Sequence, residues 1–205
     1  DSTIAALAAR YEATGHPCDL TVVHTSGLGD QAGAGTDRLA LPGMLKRVIL
    51  GHYGMSPVIA KLALSGEIEA YNFPQGVLSQ LMRRVAGGHY GMLSRIGLGT
   101  FVDPHNDGGK LNSITTEDLV TRVAIDGHEN LYYRIPPPDV AIVRGTTSDE
   151  LGNLTMEYEA GWFEMLSQAT AASNHGGEVI AQVARVVAAK SLDPRQVKVP
   201  AYLVS

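Results

Sequence analysis

The sequence has little cysteine, no cluster of positive charge and no long apolar run. Its single cysteine, Cys18, leaves no partner for a disulfide within the chain, which is typical of a reducing compartment. No apolar run approaches the roughly eighteen residues that span a bilayer, and the first residues lack the basic start of a secretory signal. The formal net charge of −5 argues against nucleic-acid binding. We therefore expect a cytoplasmic protein with no nucleic-acid or membrane partner.

Common signatures of nucleotide, metal and serine chemistry are also missing. The chain contains neither the G-x-x-x-x-G-K-[ST] loop nor the G-x-S-x-G motif, and "GLGTFVDP" lacks the third glycine of a dinucleotide site. The histidines never stand at metal-ligand spacings, so we expect no metal. Glu157 and Glu159 are possible catalytic carboxylates, although acidic residues near a helix start more often compensate the helix dipole.

The composition and the order of apolar segments indicate the fold. With 205 residues, 44% of them hydrophobic and 18% charged, the chain is predicted to form one domain with its own core. Short apolar strands alternate with glycine loops and amphipathic helices, which predicts an α/β fold with an open, mostly parallel sheet and helices on both faces. "LVTRVAIDGHENLYYRI" predicts a small antiparallel hairpin that turns at Asp126-Gly127. The segment "SRIGLGTFVD" is predicted to be a strand that runs into glycines, and "EVIAQVARVV" is predicted to be a last strand.

Two nearly identical phrases, "RVILGHYGM" from Arg47 and "RVAGGHYGM" from Arg84, occupy opposite positions in this pattern. The first follows a predicted strand and precedes a predicted helix, with Ser56 as its cap, Pro57 as its first residue and Gly66 at its end. The second follows a helix and precedes the predicted strand "RIGLG", so Gly88 is expected to end the helix. Ligands of open parallel sheets bind beyond the carboxyl ends of the strands. Only the first phrase is therefore expected to contact a ligand.

The same rule selects the candidate binding residues. Gln75 begins a predicted helix, where an amide side chain and free backbone N–H groups can bind a carboxylate or thioester oxygen. Glycines in a turn allow a ligand to approach the backbone closely. The candidate substrate-binding residues are Gln75, Asn72, Gly51, His52, Gly97, Leu98, Gly99 and Thr100.

Several separated segments resemble the family I coenzyme A transferases, and in particular the fused acyl-CoA:acetate (propionate) type. These segments are "LKRVILGHYG", "IEAYNFPQG", "IGLGTFVDP" with "GGKLN", "DVAIVRGTTSDELGNLTME" and "SLDPRQVKVP". The resemblance implies that a glutamate attacks the acyl-CoA thioester and carries coenzyme A as a glutamyl thioester. Coenzyme A would be a substrate, and no cofactor is expected.

The resemblance also implies roles for the candidate residues. Gln75 matches the family glutamine that faces the catalytic glutamate, and residues 97–100 would line the acyl pocket, with backbone N–H groups as possible oxyanion donors. The family glutamate lies in a second domain in a Glu-Asn-Gly setting. Because Glu129-Asn130 is followed by Leu131 inside the predicted hairpin, no catalytic residue is assigned within this chain.

The chain opens on Asp1 in a helical pattern, where the family has a strand and a glycine-rich loop. We therefore expect residues 1–205 to be an N-terminal domain trimmed at its start, inactive alone and completed by a second domain in a homo-oligomer. Its expected ligands are an acyl-CoA and a short-chain carboxylate. Two alternatives remain open: a separate α subunit that borrows its glutamate, and a non-catalytic α/β domain that binds a small ligand.

Overall fold

The computed structural model describes residues 2–205, which divide into two compact units. The first unit comprises the described residues up to Gln80 together with Met92–Arg134. The second unit comprises Leu81–Gly91 together with Ile135–Ser205. None of the helices in this described range combines the length and apolar composition needed to cross a membrane. The sequence predicts one domain with its own core, whereas the contacts between residues cluster in two units.

A three-stranded parallel sheet forms the centre of the first unit. Its strands are β1 (Leu20–His24), β2 (Leu45–Leu50) and β3 (Glu69–Asn72), in the order β1-β2-β3. In this register His24 pairs with Leu50, and Leu50 pairs with Asn72. The three carboxyl ends are therefore level, so the loops that follow them share one edge of the sheet.

Two helices, α1 (Ser2–Thr14) and α2 (Pro57–Ser65), pack their apolar side chains against one cluster of this unit. Val48, Leu50 and Ile59 are fully buried in that cluster, and burying each such side chain contributes about 1.5–3 kcal/mol. Helix α2 ends, as predicted, at Gly66, whose φ of 72° is a left-handed conformation that favours glycine.

The cap of α2 differs from the prediction. Ser56 occupies the N-cap position, but its side chain makes no capping hydrogen bond. Instead the buried Asp37 lies at this helix end, where its Oδ1 accepts hydrogen bonds of 3.1 Å from the backbone N–H groups of Val58 and Ile59. The Ser56 hydroxyl pairs with Thr36 Oγ1 at 2.8 Å. A residue from another segment therefore satisfies the helix terminus.

A three-stranded antiparallel sheet completes the first unit, with the order β4-β6-β5. Its strands are β4 (Met92–Ser94), β5 (Val120–Ile125) and β6 (His128–Tyr133). The predicted hairpin is confirmed: Ile125 pairs with His128, and Asp126 and Gly127 both have positive φ, as a type I′ turn requires.

The strand predicted to run into the glycines of "SRIGLGTFVD" is wrong, because only Ser94 of this segment is in a strand and residues 95–103 form turns and bends. Gly97 and Gly99 have φ values of 98° and 75°, which an extended strand does not contain. The strand that follows the second repeat phrase is instead the short β4. The helix stop predicted before it is confirmed, since α3 (Gln75–Ala86) is followed by Gly88 at a φ of 78°.

The second unit contains two small sheets, with the orders β10-β7 and β11-β8-β9. Its elements are β7 (Val140–Arg144), β8 (Thr147–Asp149), β9 (Leu154–Thr155), α4 (Met165–Asn174), β10 (Glu178–Gln182) and β11 (Arg185–Val187). The single strand predicted over "EVIAQVARVV" is thus divided into β10 and β11. The cause is a change of partner, from β7 to β8, where the backbone N–H groups of Ala184 and Arg185 both bond to the carbonyl of Thr146.

The predicted fold class is confirmed in its main features. The chain is an α/β protein with parallel strands in open sheets, packed helices and a separate antiparallel hairpin. The parallel strands belong to small separate sheets, whereas the rhythm of the sequence suggested one continuous sheet.

Candidate functional site

The end of β2 and the start of α3 meet at a glycine. A β-carbon on Gly51 would lie 2.6 Å from Cγ of Gln75 and 2.0 Å from the carbonyl oxygen of Thr25. Both distances are shorter than non-bonded atoms tolerate, so glycine is required for this approach. The loop after β1, the end of β2 and Gln75 therefore share one location at the carboxyl edge of the sheet.

Gln75 is the first residue of α3, as the sequence predicts, and its side chain is exposed. The amide group is thus open to a ligand from solvent. The first turn of a helix also leaves backbone N–H groups without intrahelical acceptors, which favours a negatively charged group beside it.

Asn72, the last residue of β3, lies beside the same edge. Its side-chain Nδ2 donates to the carbonyl of Leu50 at 3.2 Å, and its backbone N–H donates to the carbonyl of Gly109 at 2.9 Å. These two bonds fix the position of the amide. Together with Gly51 and His52, Asn72 lines a cleft of about 420 Å³.

His52 is exposed at the mouth of this cleft. A β-carbon on Gly54 would lie 2.7 Å from His52 Nε2, so the missing side chain at Gly54 makes room for the imidazole. The next residue, Tyr53, donates its hydroxyl to the carbonyl of Tyr71 at 2.8 Å, and burial raises its pKa above the ordinary value. Tyr53 is therefore a neutral wall of the cleft.

The four residues 97–100, here called the Gly97 turn, are held by the hairpin. A β-carbon on Gly97 would lie 2.4 Å from the hydroxyl of Tyr133, which donates to the carbonyl of Ile96 at 2.6 Å. The Gly97 turn is linked to Gln75 indirectly: the Tyr133 ring packs edge-on against Phe73 with centroids 5.5 Å apart. Gly51, His52 and Asn72 thus share one cleft and Gln75 lies against Gly51, whereas the Gly97 turn is connected to them only through Tyr133 and Phe73.

Three N–H groups of the Gly97 turn donate to acceptors in or next to the turn. Leu98 donates to the carbonyl of Arg95, Thr100 donates to the carbonyl of Gly97, and Gly99 donates to Asp103 Oδ2 at 2.8 Å. In this conformation these three N–H groups are engaged, so that backbone N–H groups of residues 97–100 bind an oxyanion stays a prediction. That the turn lines an acyl pocket stays a prediction.

A buried ion pair that the sequence analysis missed anchors this turn. Asp103 is 1% exposed and accepts two hydrogen bonds of 2.9 Å from Arg122 of β5, one on each carboxylate oxygen. These bonds, together with those from the N–H groups of Gly99 and His105, hold the pKa of the Asp103 carboxyl well below its usual range. Asp103 and Arg122 are 19 residues apart, so no local pattern joins them.

The remaining carboxylates considered from sequence have structural partners. Glu157 accepts hydrogen bonds from Thr147 and Thr155 and forms an ion pair with Arg185, and the threonine hydroxyls, Thr147 first, lower its pKa to about 2. Glu159 forms an ion pair of 2.9 Å with Arg144. Glu129, in the hairpin, contacts Arg122 at 3.0 Å. These contacts favour structural roles over catalysis for all three.

Comparisons with known proteins agree with the resemblance. The sequence profile described as "Coenzyme A transferase" matches residues 2–205. The acetate CoA-transferase YdiF of Escherichia coli (strain K12) is 45% identical over 201 residues, which cover 98% of this chain and 38% of that protein. The caffeate CoA-transferase of Acetobacterium woodii is 42% identical over 199 residues, which cover 97% and 38%.

The fold is also that of a solved relative. The acyl-CoA transferase (YdiF) of Escherichia coli O157:H7, crystallised as a thioester complex with CoA, matches with a TM-score of 0.96 at 45% identity, over 98% of this chain and 39% of that one. The chain thus spans well under half the length of these curated relatives. The matched profile and the identities over nearly all of its residues establish that the chain belongs to the coenzyme A transferase family.

Proposed function

We propose that the protein carrying this chain transfers coenzyme A between a short-chain acyl-CoA and a carboxylic acid, and that this chain supplies the acyl-pocket half of the site. The observation that carries the proposal is the meeting of Gly51 and Gln75 beside the cleft of His52 and Asn72. Two relatives above 40% identity are named as CoA-transferases, one for acetate and one for caffeate.

The proposed reaction is nucleophilic catalysis by a glutamate outside this chain. Its carboxylate attacks the thioester carbonyl, the C–S bond breaks, and the departing thiolate of coenzyme A leaves a mixed anhydride. The thiolate then attacks the glutamyl carbonyl, which forms the glutamyl thioester and releases the first carboxylate. The incoming acid takes over coenzyme A by the same steps in reverse. No proton or electron is gained or lost overall, and every bond made or broken belongs to the glutamate, the two acids or the coenzyme A that is transferred.

Gln75 is proposed to orient that glutamate and the substrate acyl oxygen. Its exposed amide can donate to one carboxylate oxygen and accept from a second group, and the start of α3 favours the negative charge. Gly51, His52 and Asn72 are proposed to contact the acyl group, and Gly97, Leu98, Gly99 and Thr100 to back the pocket through Tyr133 and Phe73.

We further propose that a second CoA-transferase domain is fused to this one in a cytoplasmic homo-oligomer. The relatives of highest identity given above support fusion because they are much longer than this chain. A separate subunit is the alternative, as in the acetate CoA-transferase subunit alpha of Escherichia coli, which is 30% identical over 148 residues. The length of the parent reading frame decides between these two arrangements. The exposed free thiol of Cys18 is consistent with a reducing compartment.

The test is a transfer assay on the complete protein with acetyl-CoA and propionate. We expect the protein to exchange coenzyme A between the two acids. We also expect borohydride to inactivate the enzyme in the presence of acyl-CoA, because it reduces the glutamyl thioester to an alcohol. Borohydride without acyl-CoA is the control. Absence of both exchange and trapping would favour a non-catalytic domain that binds a small ligand.

A further inference from the structure

A groove continues the candidate cleft along helix α2. The cleft at Gly51 and Asn72 has a volume of about 420 Å³, and an adjoining cleft of about 600 Å³ runs outward to Lys61 and Ser65. The two clefts share the residues Tyr53, Gly54, Ala60 and Leu64. These four residues define what we call the α2 groove.

Small side chains create the α2 groove, and an uncovered leucine borders it. Gly54 and Ala60 leave room between α2 and the loop after β2, whereas Leu64 is 81% exposed. A leucine this exposed beside a concave surface gains free energy when an apolar ligand covers it, at about 25 cal/mol per Å² of surface removed from water. The wall of the groove is therefore suited to a hydrocarbon.

Polar groups stand at both ends of the groove. The inner end has the imidazole of His52 and the amide of Asn72 at the carboxyl edge of the sheet, and the outer end has the amine of Lys61 in solvent. Ala60 and Leu64 are four residues apart on α2, so the apolar wall between the ends extends about 6 Å. A ligand that fits has a polar head and an apolar body.

We propose that the α2 groove binds the hydrocarbon body of the carboxylic acid, and that Ala60 and Leu64 set the length of acid that the enzyme accepts. This inference rests on the proposed function, since the acid's carboxylate would lie at Gly51 and Asn72 beside Gln75. A water molecule occupies about 30 Å³ in the liquid, so the inner cleft alone has space for about a dozen non-hydrogen atoms. Acetate fills a small part of that space, and the groove therefore favours longer acids.

The complete protein tests the groove through the ratio of kcat/KM for hexanoate to that for propionate. We expect Ala60→Leu, which fills the groove, and Leu64→Ala, which removes its wall, to lower this ratio at least about tenfold and about threefold respectively. The matched control is Val58→Ala, another exposed apolar residue of α2, 42% exposed and outside both clefts. That control is expected to keep the wild-type ratio.

Binding of hexanoate, measured by calorimetry, separates the groove from the proposed reaction. Weaker binding to folded Ala60→Leu supports the groove even if the wild-type protein shows no transfer, which would refute only the proposed function. An unchanged ratio together with unchanged hexanoate binding in both variants overturns the groove. So does an equal rise in the KM of acyl-CoA with every acid, because the groove would then hold the pantetheine arm of coenzyme A.

Discussion

Gly51 and Gln75 approach so closely that no β-carbon fits between them, since one built on Gly51 would lie 2.6 Å from Gln75 Cγ. The end of β2 and the start of α3 are therefore coupled: a change at one displaces the other. A residue without a side chain therefore limits where the amide that is proposed to orient the glutamate can lie.

We expect Gly51→Ala to destabilise the protein by about 1–3 kcal/mol through overpacking, and to lower transfer activity by displacing Gln75. Urea unfolding and steady-state kinetics measure the two effects. Gly76→Ala is the matched control, because a β-carbon there meets nothing within 4 Å, and we expect it to be neutral or slightly stabilising. Equal stability of both variants would contradict the close contact.

Gln75→Ala is expected to lower kcat at least about tenfold in the complete enzyme, because the amide that orients the glutamate is lost. The side chain is exposed, so the free energy of unfolding should stay within about 0.5 kcal/mol of wild type. Gln80→Ala, an exposed glutamine on the same helix, serves as the control. Wild-type kinetics for Gln75→Ala would remove this residue from the site.

Asp103→Asn tests the ion pair that anchors the Gly97 turn. The folded pKa of Asp103 lies well below its unfolded value, so its stabilising contribution is complete above about pH 4 and is lost as the pH falls further. We expect the variant to be less stable than wild type at pH 7, with a difference that shrinks below pH 4. Urea unfolding between pH 7 and pH 2.5 measures this difference, and a constant gap would argue against the ionised pair.

The same pair predicts faster exchange at the Gly99 amide. Its hydrogen is donated to Asp103 Oδ2 at 2.8 Å, and Arg122 holds that carboxylate in place. In Arg122→Lys, which keeps the charge but loses the two-pronged contact, the Gly99 amide hydrogen should exchange faster than in wild type. An unaltered exchange rate would show that the contact of Arg122 with Asp103 is not needed to keep the Gly97 turn in its conformation.

His24 predicts a second dependence of stability on pH. Its cause is the burial of a neutral imidazole, whereas the cause at Asp103 is the hydrogen bonding of an ionised carboxylate. Both of its ring nitrogens are buried, and burial lowers its pKa from 6.5 to about 4. The unfolded chain binds a proton in this interval and the folded chain does not, so stability falls on the order of 3 kcal/mol as the pH drops from 6.5 to 4. An NMR titration of the imidazole checks the value, and a midpoint near 6.5 would contradict the burial.

Asp37 is expected to stabilise α2 from outside the helix. Asp37→Ala removes the acceptor of two backbone N–H groups, so we expect a loss of about 1–2 kcal/mol in thermal or urea unfolding. Asp37→Asn keeps an acceptor oxygen and should lose less. If the two variants are equally destabilised, the charge and not the hydrogen bond is what α2 requires.

Local signals in the sequence located the elements better than the contacts between them. Asp126-Gly127 and Gly66 each depend on backbone conformations that few residues adopt, so a two-residue pattern suffices to predict the turn and the helix end. Gly97 and Gly99 carry the same kind of signal, but the apolar residues around them suggested a strand. The two glycines adopt positive φ values, which an extended strand does not contain, so the segment forms a turn despite its apolar residues.

Contacts across long separations could not be predicted from patterns. Arg122 reaches Asp103 because the hairpin folds back over the turn, and nothing in an alternating strand marks which arginine is paired. The topological rule for parallel strands correctly placed Gly51, His52 and Asn72 at one edge of the sheet, since it requires only that the strand ends be level; their contact with a substrate stays a prediction. It was unsuitable for the Gly97 turn, which follows an antiparallel strand.

The carboxylate of Asp37 caps α2, so the residues of α2 and its immediate neighbours do not by themselves satisfy the N–H groups at the start of this helix. Nine residues are too few to form a stable helix alone in water, and an excised peptide of residues 56–66 should be mostly random coil by circular dichroism. During folding, α2 would become ordered only after the chain has brought residue 37 to it. The groove and the helix end that borders it would then appear in one cooperative step.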